Sequence, residues 1–262
     1  MAKAMIWEKM TVREIREALK STQTVLIPIG VTEQHGYHLA VNTDMHNAWQ
    51  IATRAAEETG CFVAPLLPYT FSGGELPGTI NIDYHLVALL ISDILRALAA
   101  NGLRNLILVL GHGGSENARA TREAAELFLR QHPAYADRKV ALYNFCELSG
   151  LVAQGFAEGD FHAGNVETSL MLYWAPEDVR LNEIALDSPE LVQMMREDPD
   201  KYQLIEYPLD HPGVVPRISQ RPEIQVGVMG DPSRASAEFG ARVCAEVVSG
   251  LVELIRAMQG AA

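Results

Sequence analysis

Three short polar clusters hold most of the residue types in this chain that can bind a cation or move a proton. The first is Thr32-Glu33-Gln34-His35-Gly36-Tyr37-His38, with Asn42-Thr43-Asp44 close behind it. Glu33 and His35 are two apart, so an extended backbone points both to one side. Asp44 follows after a short loop. One imidazole and two carboxylates form a mixed oxygen and nitrogen donor set, which suits Zn2+, Mn2+ or Fe2+ better than Ca2+. The second cluster is Gly111-His112-Gly113-Gly114-Ser115-Glu116-Asn117. Its glycines allow close backbone approach and a sharp turn into the next element. They lack the Lys-Ser/Thr pair of a phosphate loop and a full dinucleotide fingerprint. The third is His162-Ala163-Gly164-Asn165-Val166-Glu167-Thr168-Ser169, where His162 and Glu167 flank a helix start. Taken singly, each cluster is also explained by helix capping or ordinary hydrogen bonding. Their joint placement is the stronger signal.

That placement depends on the elements before and after the clusters. Thr24–Gly30 and Asn105–Leu110 read as buried strands, as do Cys61–Leu67 and Val140–Phe145. Between them lie helical patterns over Met45–Thr59, Asp83–Ala100 and Ser115–Gln131. Asn101-Gly102 supplies a helix stop. Val166–Trp174 and Ala235–Met258 also read as helices. Strands apolar on both faces, alternating with helices, imply a mostly parallel sheet covered on both sides, an α/β three-layer α/β/α sandwich. In such sheets ligands bind beyond the C-terminal strand ends, where the three clusters fall. Ala185–Pro222 reads as a short helix plus a long excursion. The Gly73–Thr79 loop is expected to border the pocket or merely to connect a strand to a helix. His38 and His46 read as supporting or surface residues. His85, His132 and His211 read as structural. Residues 1–262 read as one domain, since no linker or repeat interrupts them.

Composition narrows the function. The chain has 262 residues, 48% of them hydrophobic, and a formal net charge of -12. An acidic surface repels phosphate backbones, so nucleic acid is an unsuitable partner. The first ten residues, with Lys3, Glu8 and Lys9, do not form a signal peptide, and no apolar run is long enough to span a bilayer. Three widely spaced cysteines, Cys61, Cys146 and Cys244, form neither a disulfide framework nor a zinc knuckle. Cys61 and Cys146 lie in apolar, strand-like runs and read as buried thiols. The expected compartment is the cytoplasm.

At Glu33-Gln34-His35-Gly36, Thr43-Asp44, Pro77-Gly78-Thr79, Gly111-His112-Gly113-Gly114 and His162-Ala163-Gly164 with Glu167-Thr168-Ser169, the sequence resembles the creatininase (creatinine amidohydrolase) family. The resemblance runs roughly from Ile27 to Leu172. It implies a three-layer α/β/α fold, two divalent metal ions (Zn or Mn, with Fe as an alternative) and hydrolysis of a small polar amide. By position it implies that Glu33 and His112 hold one ion, His35 the other, and Asp44 both. Glu167 is the implied acidic ligand of the third cluster, and His162 the implied proton-handling or substrate-gripping residue. Homo-oligomers, hexamers among them, are also implied.

The chain departs from the family pattern at Asn165, where many relatives have Glu, and at Ser115, where many have Asn. Glu116 follows and reads as a first-turn helix carboxylate, with a metal ligand or a substrate contact as alternatives. The chain reads Gly159-Asp160-Phe161 before His162, without the tryptophans with which creatininase grips a flat ring, so the resemblance does not extend to creatinine as substrate. The expected reaction is attack by a metal-bridging hydroxide on the carbonyl of a cyclic or linear amide, lactam or formamide. Three alternatives stand beside it: C–C bond hydrolysis of a cyclic diketone such as a diketo-inositol, isomerisation or epimerisation of a sugar-like ketone, and metal or ligand binding without catalysis.

Overall fold

A computed structural model describes residues 4–147 and 149–260. Lys3 therefore lies outside the described residues. Five parallel strands form the central sheet in the order β1-β3-β2-β4-β5: β1 Met5–Ile6, β2 Thr24–Ile29, β3 Phe62–Val63, β4 Asn105–Leu110 and β5 Lys139–Asn144. Parallel neighbours need crossovers. These are α2 Thr43–Thr59, α3 Tyr84–Ala100 and α4 Ser115–Gln131.

The strands alternate strictly between two cores. Leu26, Ile107, Val109 and Tyr143 face a cluster shared with α2, α5 Gly150–Ala157, α6 Asn165–Trp174 and α8 Ala237–Gly260. Val25, Ile27, Ile29, Leu106, Leu108 and Leu110 face the opposite cluster, built from α3 and α4. This two-residue period inside all-apolar runs is what a sheet covered on both sides requires, and it makes the expected three layers.

Register sets the site. Ile29 pairs with Leu110, and Leu110 with Asn144, so three strands end level. The chain leaves β2 into Gly30–His35 and β4 into Gly111–His112 on the same edge. Here α2 presses its first turn against the sheet. A Cβ on Gly111 would collide with the Asp44 carbonyl, so only glycine permits this approach.

Several elements differ from expectation. The Cys61–Leu67 strand shrinks to Phe62–Val63 plus one bridge from Ile29 to Leu67, because Pro65 and Pro68 cannot donate to a ladder. Cys146 sits in the turn after β5 rather than in the strand. Helix α2 starts two residues early and takes Asp44 into its first turn, so Asp44 sits on a helix and not on a loop. β1 and α1 (Val12–Ala18) were not anticipated. The 185–222 excursion holds α7 Pro189–Glu197, then an antiparallel hairpin of β6 Gln203–Glu206 and β7 Arg217–Gln220. All three cysteines are free and buried. Among the described residues no helix is long and apolar enough to cross a membrane.

Candidate metal centre

The three polar clusters converge at the level strand ends. Glu33, Asp44 and His112 form one group whose ligand atoms lie within 4.8 Å of one another. His35, Asp44 and Glu167 form a second, and Glu33, His35 and His162 a third. The two oxygens of Asp44 divide between imidazoles. Oδ2 lies 3.3 Å from His112 Nδ1, and Oδ1 lies 3.4 Å from His35 Nε2. Glu33 Oε2 is 3.0 Å from His112 Nδ1, and Glu167 Oε2 is 3.6 Å from His35 Nε2. All are buried except Glu167, which is partly so.

Glu33 Oε2, His35 Nε2 and both Asp44 oxygens have no properly formed hydrogen bond. Buried polar atoms left in this state are costly. A divalent cation would satisfy them, and the donor chemistry fits Zn2+ or Mn2+. Glu33 and Glu167 each accept a hydrogen bond from another residue. Ser72 Oγ donates to Glu33 Oε1 at 2.6 Å, and Ala163 N donates to Glu167 Oε2 at 2.7 Å. His35 Nδ1 meets the Glu33 carbonyl at 3.1 Å, which turns Nε2 inward.

Electrostatics tell the same story. Burial pushes the Glu33 carboxyl up, but the imidazoles of His112, His162 and His35 outweigh it and hold it well below the usual range. Burial likewise pushes Glu167 up, and His35 brings it down to about 2. His35 and His112 are raised well above a free imidazole: burial opposes this, but Asp44 with Glu167, and Glu33 with Asp44, prevail. Protonated imidazoles thus supply, in the absence of an ion, the positive charge that the carboxylates need.

His162 packs against His35 with ring centroids 4.3 Å apart and planes tilted by 42°. Its Nε2 is 2.9 Å from the Gln34 carbonyl and 3.1 Å from the Gln34 amide nitrogen. Gln34 therefore offers an acceptor for Nε2–H and a donor for bare Nε2. Burial, then the charge of His35, lowers the His162 pKa. Thr79 Oγ1 accepts from Gln34 N at 3.1 Å, so the loop ending in Pro77-Gly78-Thr79 fixes Gln34. That loop borders the pocket through Gly74 and Leu76.

The remaining polar residues sort clearly. A Cβ on Gly114 would collide with His112 Nε2, which is what the glycines of the second cluster make room for. Glu116 lies in the first turn of α4, outside every group able to hold an ion. His38 is buried, its Nε2 3.0 Å from Thr168 Oγ1, and burial lowers its pKa to about 4. His46 lies 3.5 Å from Asp178. His85 stacks on Tyr84, His132 packs on Phe128, and His211 Nδ1 accepts from Gly213 N. Sequence reasoning missed Ser72, Ala163 and Asn47. Asn47 Nδ2 donates to the Gly111 carbonyl at 3.1 Å and reaches Glu167 Oε1 at 3.5 Å. It sits three residues after Asp44 on one helix face, which is the signal that could have found it.

Comparison with known proteins agrees with this geometry. The family model for creatininase, creatinine amidohydrolase, matches residues 8–255. A mycofactocin precursor peptide peptidase of Mycolicibacterium smegmatis is 32% identical over 244 residues, 90% of this chain and 85% of the relative. A creatinine amidohydrolase of Pseudomonas putida is 29% identical over 98% of both chains. A crystal structure of creatinine amidohydrolase superposes with a TM-score of 0.80 at 27% identity, covering 100% of both chains. Similar solved creatininases include a manganese form and a Zn–Zn form, with TM-scores of 0.78 and 0.77, each 27% identical and covering 98% of this chain and 99% of the other. A 3-dehydro-scyllo-inosose hydrolase of Thermotoga maritima matches only 41% of this chain and 35% of its own length, at 34% identity.

Proposed function

The chain belongs to the creatininase family, and on that premise we propose that it hydrolyses a small polar amide or lactam at a site holding two divalent ions. It is a metal-dependent hydrolase acting on C–N bonds. The observation that carries the finer reading is the division of Asp44, both of whose buried oxygens lack a hydrogen bond, between two ligand groups. In this reading Glu33, Asp44 and His112 hold one ion, and His35, Asp44 and Glu167 the other. Bound ions of this kind lower the pKa of water and polarise a carbonyl.

The chain's own residues do the rest. Ser72 holds the outward Oε1 of Glu33, and the Ala163 N–H holds Glu167 Oε2, the oxygen that also faces His35, so both carboxylates are oriented. His162 takes or gives a proton at Nε2, with Gln34 partnering either state. Phe156 and Phe161 on the pocket wall limit water around the leaving group.

A linear peptide amide is the second reading. It is favoured by the relative named a peptide peptidase, which is 32% identical. C–C cleavage of a cyclic diketone has weaker support, because its relative matches less than half of the chain. Exposed Leu86, Leu89 and Leu90 on α3 support self-association. The free, buried cysteines accord with a reducing compartment such as the cytoplasm.

The test is direct assay of the amine and carboxylate products formed by zinc- or manganese-loaded protein from lactams, formamides, dipeptides and cyclic polyol diketones, with a chelator control. Chelator-sensitive turnover of a lactam, formamide or dipeptide is expected. Turnover of the diketone alone would replace C–N with C–C hydrolysis.

A further inference from the structure

The cavity beside the candidate metal centre has a volume of about 360 Å³, at the small end for ligand pockets. Glu33, His112, His162 and Glu167 form its inner end. Glu33 and His112 are 6% and 8% exposed, and leave Glu33 Oε2 and His112 Nε2 without partners there. Its outer end is built by segments that the proposed reaction does not use: the first turn of α4, the turn before β6, and the end of β7.

Charge at that outer end is one-sided. Glu116 and Asp200 line it, and no lysine or arginine does so among the described residues. Cations would offset the carboxylates of the ligand groups. Glu116 belongs to none of those groups, and no described residue gives its carboxylate a hydrogen bond or ion pair. Its Oε2 lies 3.3 Å from where a Cβ on Gly73 would sit, and the Tyr202 hydroxyl borders the same point. Leu76, Ile224 and Met229 supply apolar surface to the same cavity. A carboxylate that no protein group pairs keeps its acceptor capacity for a donor or a cation on a ligand. A carboxylate or phosphate at the same place would meet like charge with nothing to offset it.

We infer that the outer end selects substrates carrying a cationic or N–H-rich group on a short apolar stem, with Glu116 as the specificity residue, and rejects substrates carrying an anion there. This rests on the proposed hydrolase reading only for which end of the substrate faces inward. The chemistry fits an amide with a distal amine, amidine or guanidine, and not one with a distal acid.

The test is calorimetric binding to zinc-loaded, full-length protein of three hydroxamates of similar length: γ-aminobutyric hydroxamic acid, butyric hydroxamic acid and succinic monohydroxamic acid. The hydroxamate engages the inner end, and the tails carry a cation, no charge and an anion. The amine is expected to bind about tenfold tighter than the acid, the scale of one charge-assisted hydrogen bond. Glu116→Gln should collapse that gap while metal content and thermal midpoint hold. Equal or tighter binding of the acid by the unaltered protein overturns the inference, as does an amine preference undiminished in a folded Glu116→Gln protein. Should that variant not fold, the order in the unaltered protein decides alone. Binding is read without turnover, so failure of every amide in the activity panel would sink the proposed reaction and leave this ordering to be judged separately.

Discussion

Asp44 gives one oxygen to each of two imidazoles, 3.3 and 3.4 Å away, from the first turn of a helix whose N-terminus favours negative charge. Replacing it with an amide keeps the shape and removes the charge. Asp44→Asn is therefore expected to lose both ions and all activity, whereas His162→Ala should keep its metal and lose about 10²- to 10⁴-fold in kcat. Elemental analysis beside kinetics checks both; full metal in Asp44→Asn would refute the shared-ligand role, and metal loss in His162→Ala would make His162 a ligand. Glu33, His35 and His112 could be read from sequence because they follow apolar strands, and Asp44, His162 and Glu167 because residue types with few other reasons to gather stand at or just before helix starts. Ser72 could not, since a serine in a glycine-containing loop has many uses. Nor could Ala163, whose backbone φ of +53° is unusual for a residue with a Cβ and leaves no mark in its name.

Between residue and fold, the helix ends matter most. α5 begins on a cap supplied by another helix: Glu246 of α8 accepts from Ser149 Oγ at 2.9 Å and from the amides of Gly150 and Leu151, each at 3.0 Å. Burial opposes its charge, but these donors hold the Glu246 carboxyl below the usual glutamate range. The depressed value means that its contribution is present above the unfolded pKa and is lost as pH falls through the folded one. Glu246→Gln should cost about 1 kcal/mol near neutral pH, the size of a cap. Urea denaturation should show that deficit shrinking as the solution is acidified below the glutamate range. A pH-independent deficit would mean that packing, not charge, is what Glu246 supplies. The elements themselves were legible where burial wrote them. β2, β4 and β5 are apolar on both faces, and α3 and α4 carry clean helical periods. β1 has two residues and no pattern to show. β6 and β7 are held by pairing with each other and bury little, so their sequence carries no alternation.

For the whole molecule, the candidate centre ties strand ends and helices from distant parts of the chain. Ions that bind only the folded state add about 3 kcal/mol at a hundredfold excess over Kd, several degrees of thermal midpoint for a chain of this size. Chelation should remove that increment. The chelated protein should also lose stability as pH rises above about 6.5, the value of an unperturbed imidazole. His35 and His112 are raised in the fold, so their contribution is full below the unfolded pKa and fades as pH climbs through the folded one. The loaded protein should lack this decline, because a cation stands where each proton stood. Calorimetric scans of both forms across pH decide it; parallel profiles would argue against ligands at these two positions. α8 has one more consequence. It follows α2 and α6 in sequence and packs against both, and these bear Asp44 and Glu167. On a ribosome those two helices emerge long before their common mate. The two ligand carboxylates should gain this shared support only once α8 has left the exit tunnel, so ion capture is expected to follow the synthesis of that helix.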